Sequence, residues 1–311
     1  MNEVVTINTD NYATMAKAMG VPTMSTDKKT NVLNRFRLWH NPTMGKDTNS
    51  QGKEIITEVV EGGSYRLEEV GDPSKFFFAK KVKFRPFMQR FMYKRYTAYS
   101  NPKEGEKRGF YTSSIMADNL NIDLKDDAGT FNCGKPAGFV EDFQALSETV
   151  KKSIREIKRY RVVFGIVDLL QPIKAVDGKE VDEKLSSFPV IWEVNNRDDY
   201  KALGGVFSKF AKMERLPLQH NIDLEDPTPH KGNSGNTFYT SNVKLDLTSK
   251  IDISEEDHKI FGDFMDWVKV HNDGIIAKWD MAVAERQDVL SHDDMKTVDD
   301  FIDVELESSN A

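Results

Sequence analysis

Cysteine is almost missing from this sequence, since Cys133 is the only one in 311 residues. One thiol excludes an internal disulfide and a Cys-based zinc cluster, and no two of the six histidines have the i, i+4 spacing of a helical metal site. No apolar run approaches the roughly 20 residues that span a bilayer, and the sequence does not begin with the pattern of a secretory signal. We therefore expect a cytoplasmic protein with no metal, no cofactor and no membrane contact.

Sequence motifs of catalysis are equally scarce. The Gly-Lys pair in FNCGKPAGF is followed by proline, whereas a phosphate-binding loop requires Ser or Thr there. Cys133 would need a histidine partner to act as a nucleophile, and we expect a buried structural side chain instead. A Mg²⁺-dependent nuclease remains an alternative, because Asp123-Leu124-Lys125 fits the acid-x-Lys pattern of some nucleases. The carboxylates that could hold its Mg²⁺ are Asp118, Asp123, Asp126 and Asp127.

Acidic charge predominates overall, at a net −7, but basic charge is concentrated in one stretch, Lys75–Tyr111. That stretch has eleven basic residues, two acidic residues and eleven aromatic residues. Rings and cations at this density are typical of proteins that bind single-stranded nucleic acid, because cations follow the phosphates while rings stack on exposed bases. The predicted contact residues are Lys81, Lys83, Arg85, Phe87, Arg90, Phe91, Tyr93, Lys94, Arg95, Tyr96 and Tyr99.

Residues 32–290 combine strand and helix patterns. From Val32 apolar and polar residues alternate with period two, which predicts a meander of at least four strands. Pro86 limits what its strand can pair with, so an edge strand or a strand end is expected there. Asn196 and Ser254 are predicted helix N-caps, and a separate helical stretch is predicted from about Gly274. The predicted fold is α+β, with an antiparallel OB-like β-barrel core and added helices.

Two segments flank this predicted core. Residues 1–31 are interpreted as a flexible N-terminal arm and linker, in which a short amphipathic helix at Tyr12–Met19 would need a neighbour to pack against. From Glu285 to Ala311 nine residues are acidic and two are basic. This composition predicts a disordered acidic tail at residues 291–311. Such a tail is suited to recruit a partner or to occupy the protein's own basic groove in place of phosphate.

The order of these parts resembles the replicative single-stranded DNA-binding proteins of tailed phages. The segment YRVVFGIVDLL, followed by a turn, FPVIWEV, a helix and GNTFYTSNVKLDL, is similar in layout to the central strands of that family. Some of these phage proteins carry a Cys/His zinc site, which a chain with one cysteine cannot reproduce. The resemblance implies cooperative coating of single strands through the arm, replication partners at Asp293–Leu306, and a location in the host cytoplasm if the chain is viral.

The function expected from the sequence is therefore non-catalytic binding of single-stranded DNA during phage-type DNA replication, recombination and repair. The first alternative is a structural protein of a virion or scaffold, whose basic stretch would pack against another subunit. The second alternative is the Mg²⁺-dependent nuclease. Possible self-association is assigned to the N-terminal arm, and binding of replication proteins is assigned to the acidic tail.

Overall fold

The structure is a computed structural model that describes residues 33–70, 75–100, 107–136, 142–181, 185–232 and 235–289. The predicted N-terminal arm (1–31) and acidic tail (291–311) lie outside the described residues. The strands are β1 (Asn34–Trp39), β2 (Thr43–Thr48), β3 (Glu54–Val60), β4 (Ser64–Glu68), β5 (Phe76–Ala79), β6 (Lys81–Ala98), β7 (Gly109–Ser113), β8 (Ile157–Leu170), β9 (Ile173–Lys174), β10 (Phe188–Val194), β11 (Ile222–Lys231) and β12 (Thr237–Leu245). The α-helices are α1 (Glu148–Glu156), α2 (Arg197–Lys212) and α3 (Glu255–Val289).

Ten of these strands form one sheet in the order β12-β11-β6-β8-β10-β1-β4-β5-β9, and β7 pairs with the last part of β6. Every pair in this sheet is antiparallel except β1 with β10, which are parallel. Strands β2 and β3 form a separate ribbon. The prediction of a mixed fold with a large β core is confirmed. In the described part of the chain, however, the sheet is an open path and not a closed barrel.

The sheet has two faces because successive side chains of a strand point to opposite sides. The inner face carries the main core, in which Trp192 meets Phe36 and Phe84 edge-on at 5.3 and 5.5 Å between ring centroids. Helix α2 covers this face with Leu203 and Phe210, as its predicted apolar stripe requires. Asn196 caps the helix through a hydrogen bond from the Asp198 backbone N–H, which confirms the predicted cap.

The ends of the sheet curl toward each other over the inner face. The Tyr65 hydroxyl of β4 donates to the Glu225 carbonyl of β11 at 3.2 Å, and the Tyr239 backbone N–H of β12 donates to Nδ1 of His40 at 3.1 Å. The Tyr239 ring fits because Gly63 has no side chain, since a Cβ at Gly63 would lie 2.2 Å from it. Gly63 also has a φ of 74°, which glycine adopts most readily.

The outer face is partly covered by α3. Ser254 and Asp257 form the predicted capping interaction, with the Ser254 N–H donating to Asp257 Oδ2 at 2.8 Å and the Asp257 N–H to Ser254 Oγ at 3.2 Å. Phe264 and Val268 are buried against the sheet. The two predicted helical stretches form one helix, because packing on both sides of Gly274 outweighs the ~1 kcal/mol that an interior glycine costs.

Strand β6 continues through Pro86, so the expected strand end is wrong. The pairing with β11 ends at Phe84, two residues before the proline, as the expected limit on pairing requires. On its other side, β6 is paired with β8 from Lys81 to Arg95, with a register shift between Pro86 and Met88. A bulge of this kind accommodates a residue that cannot donate to the ladder. The result is one continuous strand of 18 residues.

Candidate nucleic-acid interface

The eleven predicted contact residues all lie on β6 or directly after it, but they do not form one site. Beyond the bulge, the pleat directs Arg90, Lys94 and Tyr96 to the outer face and Phe91, Tyr93 and Arg95 to the inner face. At 3.3 Å per residue, the strand is about 56 Å long. The predicted set is therefore split by face and by distance.

Lys81 and Lys83 lie at the beginning of β6, about 36 Å or more from Lys94 along the strand. Both side chains are exposed. Lys83 is paired with Asp168 of β8 on one side and with Asp223 of β11 on the other, so carboxylates flank this lysine in the sheet. Opposite charges directly across strands stabilise the sheet. This end of β6 therefore carries balanced charge and is not a basic groove.

Arg85 and Phe87 attach α3 to the sheet. The Arg85 guanidinium donates two hydrogen bonds to Asp257, at 2.8 and 2.9 Å, and a third to the Leu218 carbonyl at 2.6 Å. Phe87 is buried, with its ring 5.6 Å from that of Phe264. The prediction that these two residues contact nucleic acid is corrected, because the Arg85 guanidinium and the Phe87 ring are both in contact with α3.

Tyr93 and Phe91 belong to the inner side of the molecule. Tyr93 is fully buried, and its hydroxyl donates to the Leu120 carbonyl at 3.3 Å. Phe91 is half-buried beneath the Arg161 guanidinium, which also lies 4.5 Å from the Tyr200 ring. The prediction that Tyr93 stacks on a base is therefore wrong, and Phe91 is stacked within the protein.

The exposed rings lie on the ribbon that the end of β6 forms with β7. Tyr96 and Tyr111 are cross-strand partners with centroids 5.0 Å apart, and they are 42% and 59% exposed. Tyr99 and Phe110 form a second exposed pair at 5.8 Å, on the opposite side of the ribbon. The predicted rings Tyr96 and Tyr99 are thus available, and β7 supplies each of them with a partner ring.

Cations of β6 and β8 lie near the Tyr96–Tyr111 pair on the outer face. Lys94 is two residues before Tyr96 on the same side of β6, and Lys158 of β8 is its cross-strand partner. The Lys94 ammonium lies 5.1 Å from the ring centroid of Tyr160 and 2.6 Å from Glu193 Oε2. Of the other predicted cations, Arg90 bonds to Asp118 and Arg95 to Glu156, each at 3.0 Å.

The outer face continues onto β1 and β4 with residues that the site prediction missed. Arg35 is exposed, and Arg37 pairs with Glu68. Beyond them the Arg66 guanidinium lies 4.3 Å from the Trp39 ring and 4.0 Å from the Phe76 ring. The period-two pattern of β1 already places Arg35, Arg37 and Trp39 on one side. The sequence gives no sign that β1 lies beside β10, on the same face as Lys94.

We use "outer strip" for the residues that line this face from β7 to β1. Their strands are neighbours in the order β7, β6, β8, β10 and β1, so at about 4.8 Å per strand the strip is roughly 19 Å long. It contains three partly exposed rings and three cations, and each cation belongs to a different strand. The outer strip consists of Tyr96, Tyr111, Tyr160, Lys94, Lys158 and Arg35.

A cleft opens in the outer strip where the parallel strands separate. Pairing of β1 with β10 covers only three residues of each strand and ends at Phe36 and Trp192, although the strands continue to Trp39 and Val194. The resulting space has a volume of about 450 Å³. We call it the β1–β10 cleft. Its lining includes Arg37, Tyr111, Tyr160, Glu193, Asn195 and Asp199.

The carboxylates considered for Mg²⁺ serve separate roles in their own loop. Asp126 is buried and accepts hydrogen bonds from the backbone N–H groups of Ala128, Thr130 and Cys133. Asp123 accepts from the Asn132 amide, Asp127 accepts from the Ser113 N–H, and Asp118 binds Arg90. Across the described residues, no three His, Cys, Asp or Glu side chains are grouped to hold a metal ion.

Cys133 is buried, as predicted. Its thiol donates to the Tyr93 and Thr112 carbonyls at 3.5 and 3.6 Å. Burial, reinforced by the nearby charge of Asp126, raises the pKa of the thiol to about 12. Because the thiolate is the reactive form, this side chain is chemically inert at neutral pH.

Comparisons with protein-family models, with curated proteins and with solved structures found no match to this chain. None of the helices in the described ranges combines the length and the apolar character that crossing a bilayer requires.

Proposed function

We propose that this chain binds single-stranded DNA without catalysis, as a coating protein of phage-type DNA replication, recombination and repair. The observation that carries the proposal is the outer strip, in which partly exposed rings and cations of four strands lie on one face of the sheet. Rings that stack on bases need bases that are not paired, and cations spaced along the same path attract the phosphates between them. A duplex, whose bases are stacked and paired, would offer only its phosphates.

We also propose that this sheet binds an oligonucleotide in the way that an OB fold does. OB folds bind oligonucleotides across the strands of a curved antiparallel sheet, with aromatic side chains on the binding face. Here the strip likewise crosses the strands, and the β6–β7 ribbon extends it beyond the end of β8. The contact of Tyr239 with Gly63 joins β12 to the turn before β4 in this open sheet, which supports such a use of the sheet without a closed barrel.

The test is a titration of the purified chain with a fluorescent oligothymidylate and with a duplex of equal length, each with and without Mg²⁺. We expect saturable binding of the single strand, weaker binding of the duplex and no cleavage. A defined oligomer that ignores both nucleic acids would refute the proposal and support the structural alternative. Mg²⁺-dependent cleavage that is lost in Asp123→Ala would refute it in favour of the nuclease.

Salt dependence tests the cations of the outer strip. Each phosphate contact to a single strand contributes about −0.7 to the slope of log affinity against log salt. Combined replacement of Arg35, Lys94 and Lys158 by alanine should therefore make the slope less steep by about 2. The measurement is oligothymidylate affinity at several salt concentrations.

The matched control for that variant replaces three exposed lysines of α2, on the other side of the sheet: Lys201, Lys209 and Lys212. It removes the same net charge and should leave the slope nearly unchanged. Equal slopes for the two triple variants would mean that DNA responds to total charge alone, and the outer strip would not be the binding face.

A further inference from the structure

We propose that the β1–β10 cleft holds one base of the bound strand, turned out of the stack, and selects a base with an exocyclic amino group over thymine. This inference rests on the proposed single-strand binding function and adds a specificity site to it. The observations that carry it are the position of the cleft, its charge and its hydrogen-bonding groups.

The position of the cleft connects it to the rings. Tyr111, whose ring packs against Tyr96 at 5.0 Å, is also part of the cleft lining. Tyr160 lies under Lys94 and lines the cleft as well. A strand that stacks on the Tyr96–Tyr111 pair and follows the outer strip toward Arg35 must therefore pass over the opening. A base at that point can enter the cleft while its phosphate stays near the cations.

The charge of the cleft favours a neutral group over a phosphate. Three cations, Arg35, Arg37 and Lys94, and two carboxylates, Glu193 and Asp199, contribute to the lining. Two of the lining cations are already paired within the protein, Lys94 with Glu193 and Arg37 with Glu68. These pairs leave Arg35 and the buried Asp199, whose charges are opposite, so the lining has no excess of positive charge for a phosphate. A phosphate in the cleft would also lose its water, whereas a base carries no net charge.

The opening carries one acceptor, Asn195 Oδ1, that receives no hydrogen bond from the described residues. The Asn195 side chain donates from Nδ2 to the Tyr160 hydroxyl at 3.1 Å, which directs its amide group and leaves Oδ1 as an acceptor. No described residue donates to that oxygen. The adjacent Glu193 carboxylate also accepts, and the Asn196 side chain is turned back to cap α2. Acceptors at the opening match an amino donor of the ligand.

Cytosine and adenine present an amino donor where thymine presents the O4 acceptor. The amino bases can therefore bond to Asn195 Oδ1, while thymine would set acceptor against acceptor. One matched base should change affinity by about fivefold or more, the lower end of the discrimination that a good side-chain contact to a base provides. The strip itself stays tolerant of sequence, because every base has a face that can stack.

The experiment compares an oligothymidylate with the same oligomer carrying one central cytidine or adenosine. We expect the substituted oligomers to bind about fivefold tighter or more. In Asn195→Leu, which is similar in size but cannot accept, the ratio should fall to about one, whereas Asn195→Asp, which can still accept, should retain a preference. Asn242→Leu, at an exposed asparagine of β12, is the matched control and should keep the wild-type ratio.

The outcomes separate the two proposals. Equal binding of all the oligomers by the wild-type chain, or a preference for thymidine, would overturn the base pocket while the single-strand binding function stands. A preference that survives Asn195→Leu would also overturn it, because another site would then be responsible. Failure to bind any of the oligomers would overturn the proposed function itself.

Discussion

Replacement of both Tyr96 and Tyr111 by alanine should weaken the binding of single-stranded DNA by about 2 kcal/mol or more, which is roughly 30-fold. Stacking of a base on an aromatic side chain contributes about 1–3 kcal/mol per base, and these two rings are the most exposed of the three rings in the outer strip. Neither ring supports the core, so the fold should be retained. The measurement is the affinity for a fluorescent oligothymidylate at a fixed, moderate salt concentration.

Two controls show whether the rings themselves are responsible. The double replacement of both tyrosines by phenylalanine keeps the stacking surface and removes only the hydroxyls, so it should bind nearly as well as the wild-type chain. Phe261→Ala removes a ring that is 39% exposed on α3 and should have no effect on binding. Unchanged affinity in the double alanine variant would show that bases do not stack on the β6–β7 ribbon.

Replacement of Asp257 by alanine should lower the free energy of unfolding by about 3–5 kcal/mol. The side chain of Arg85 is only 17% exposed, and the variant would leave this cation buried without its partner. The same substitution removes the capping interaction with Ser254, so the first turn of α3 would lose a second support. Urea denaturation of both proteins at neutral pH measures the difference.

Asp263→Ala is the matched control, because Asp263 lies on the same helix and is exposed. It should change stability by no more than about 0.5 kcal/mol. If the two variants were equally stable, the attachment of α3 through Arg85 would be refuted. In that case Arg85 would again be a candidate for phosphate contact, as its position in the basic stretch predicted.

The contribution of Asp257 should depend on pH in a definite direction. Burial opposes its ionisation, but hydrogen bonds from the Ser254 N–H and from Arg85 outweigh burial and lower its pKa from the ordinary 3.8. A lowered pKa means that the stabilisation is complete above about pH 4 and is lost as the pH falls through the folded-state value. The stability difference between the wild-type chain and Asp257→Ala should therefore narrow below pH 4.

Several elements could be predicted because their signals are local. Asn196 and Ser254 begin helices as their capping chemistry indicates, since a cap needs only residues within one turn. The alternation around Phe36 placed β1 correctly, because a half-buried strand imposes period two on its own residues. The expectation that Cys133 is buried also follows from its apolar chemistry.

The candidate site was predictable only in part, because neighbouring residues of a strand point to opposite faces of the sheet. Tyr93 and Lys94 are adjacent in sequence, but Tyr93 is buried, with its hydroxyl bonded to the Leu120 carbonyl, whereas Lys94 lies in the outer strip. The bulge after Pro86 changes the phase of the alternation, and the sequence does not show on which residue that change falls. The numbers of rings and cations in a stretch therefore do not predict the face of the sheet on which each side chain lies.

The sequence by itself determined the concentration of cations and rings in Lys75–Tyr111, the capped starts of α2 and α3 and the period of the strands. These properties depend on residue type and on neighbours within a few positions. The tertiary structure decided which of those residues reach solvent, because that depends on distant partners such as Asp257 for Arg85 and Glu193 for Lys94. It also decided that β1 lies parallel to β10 and then diverges from it, since strand pairing depends on burial over the whole core.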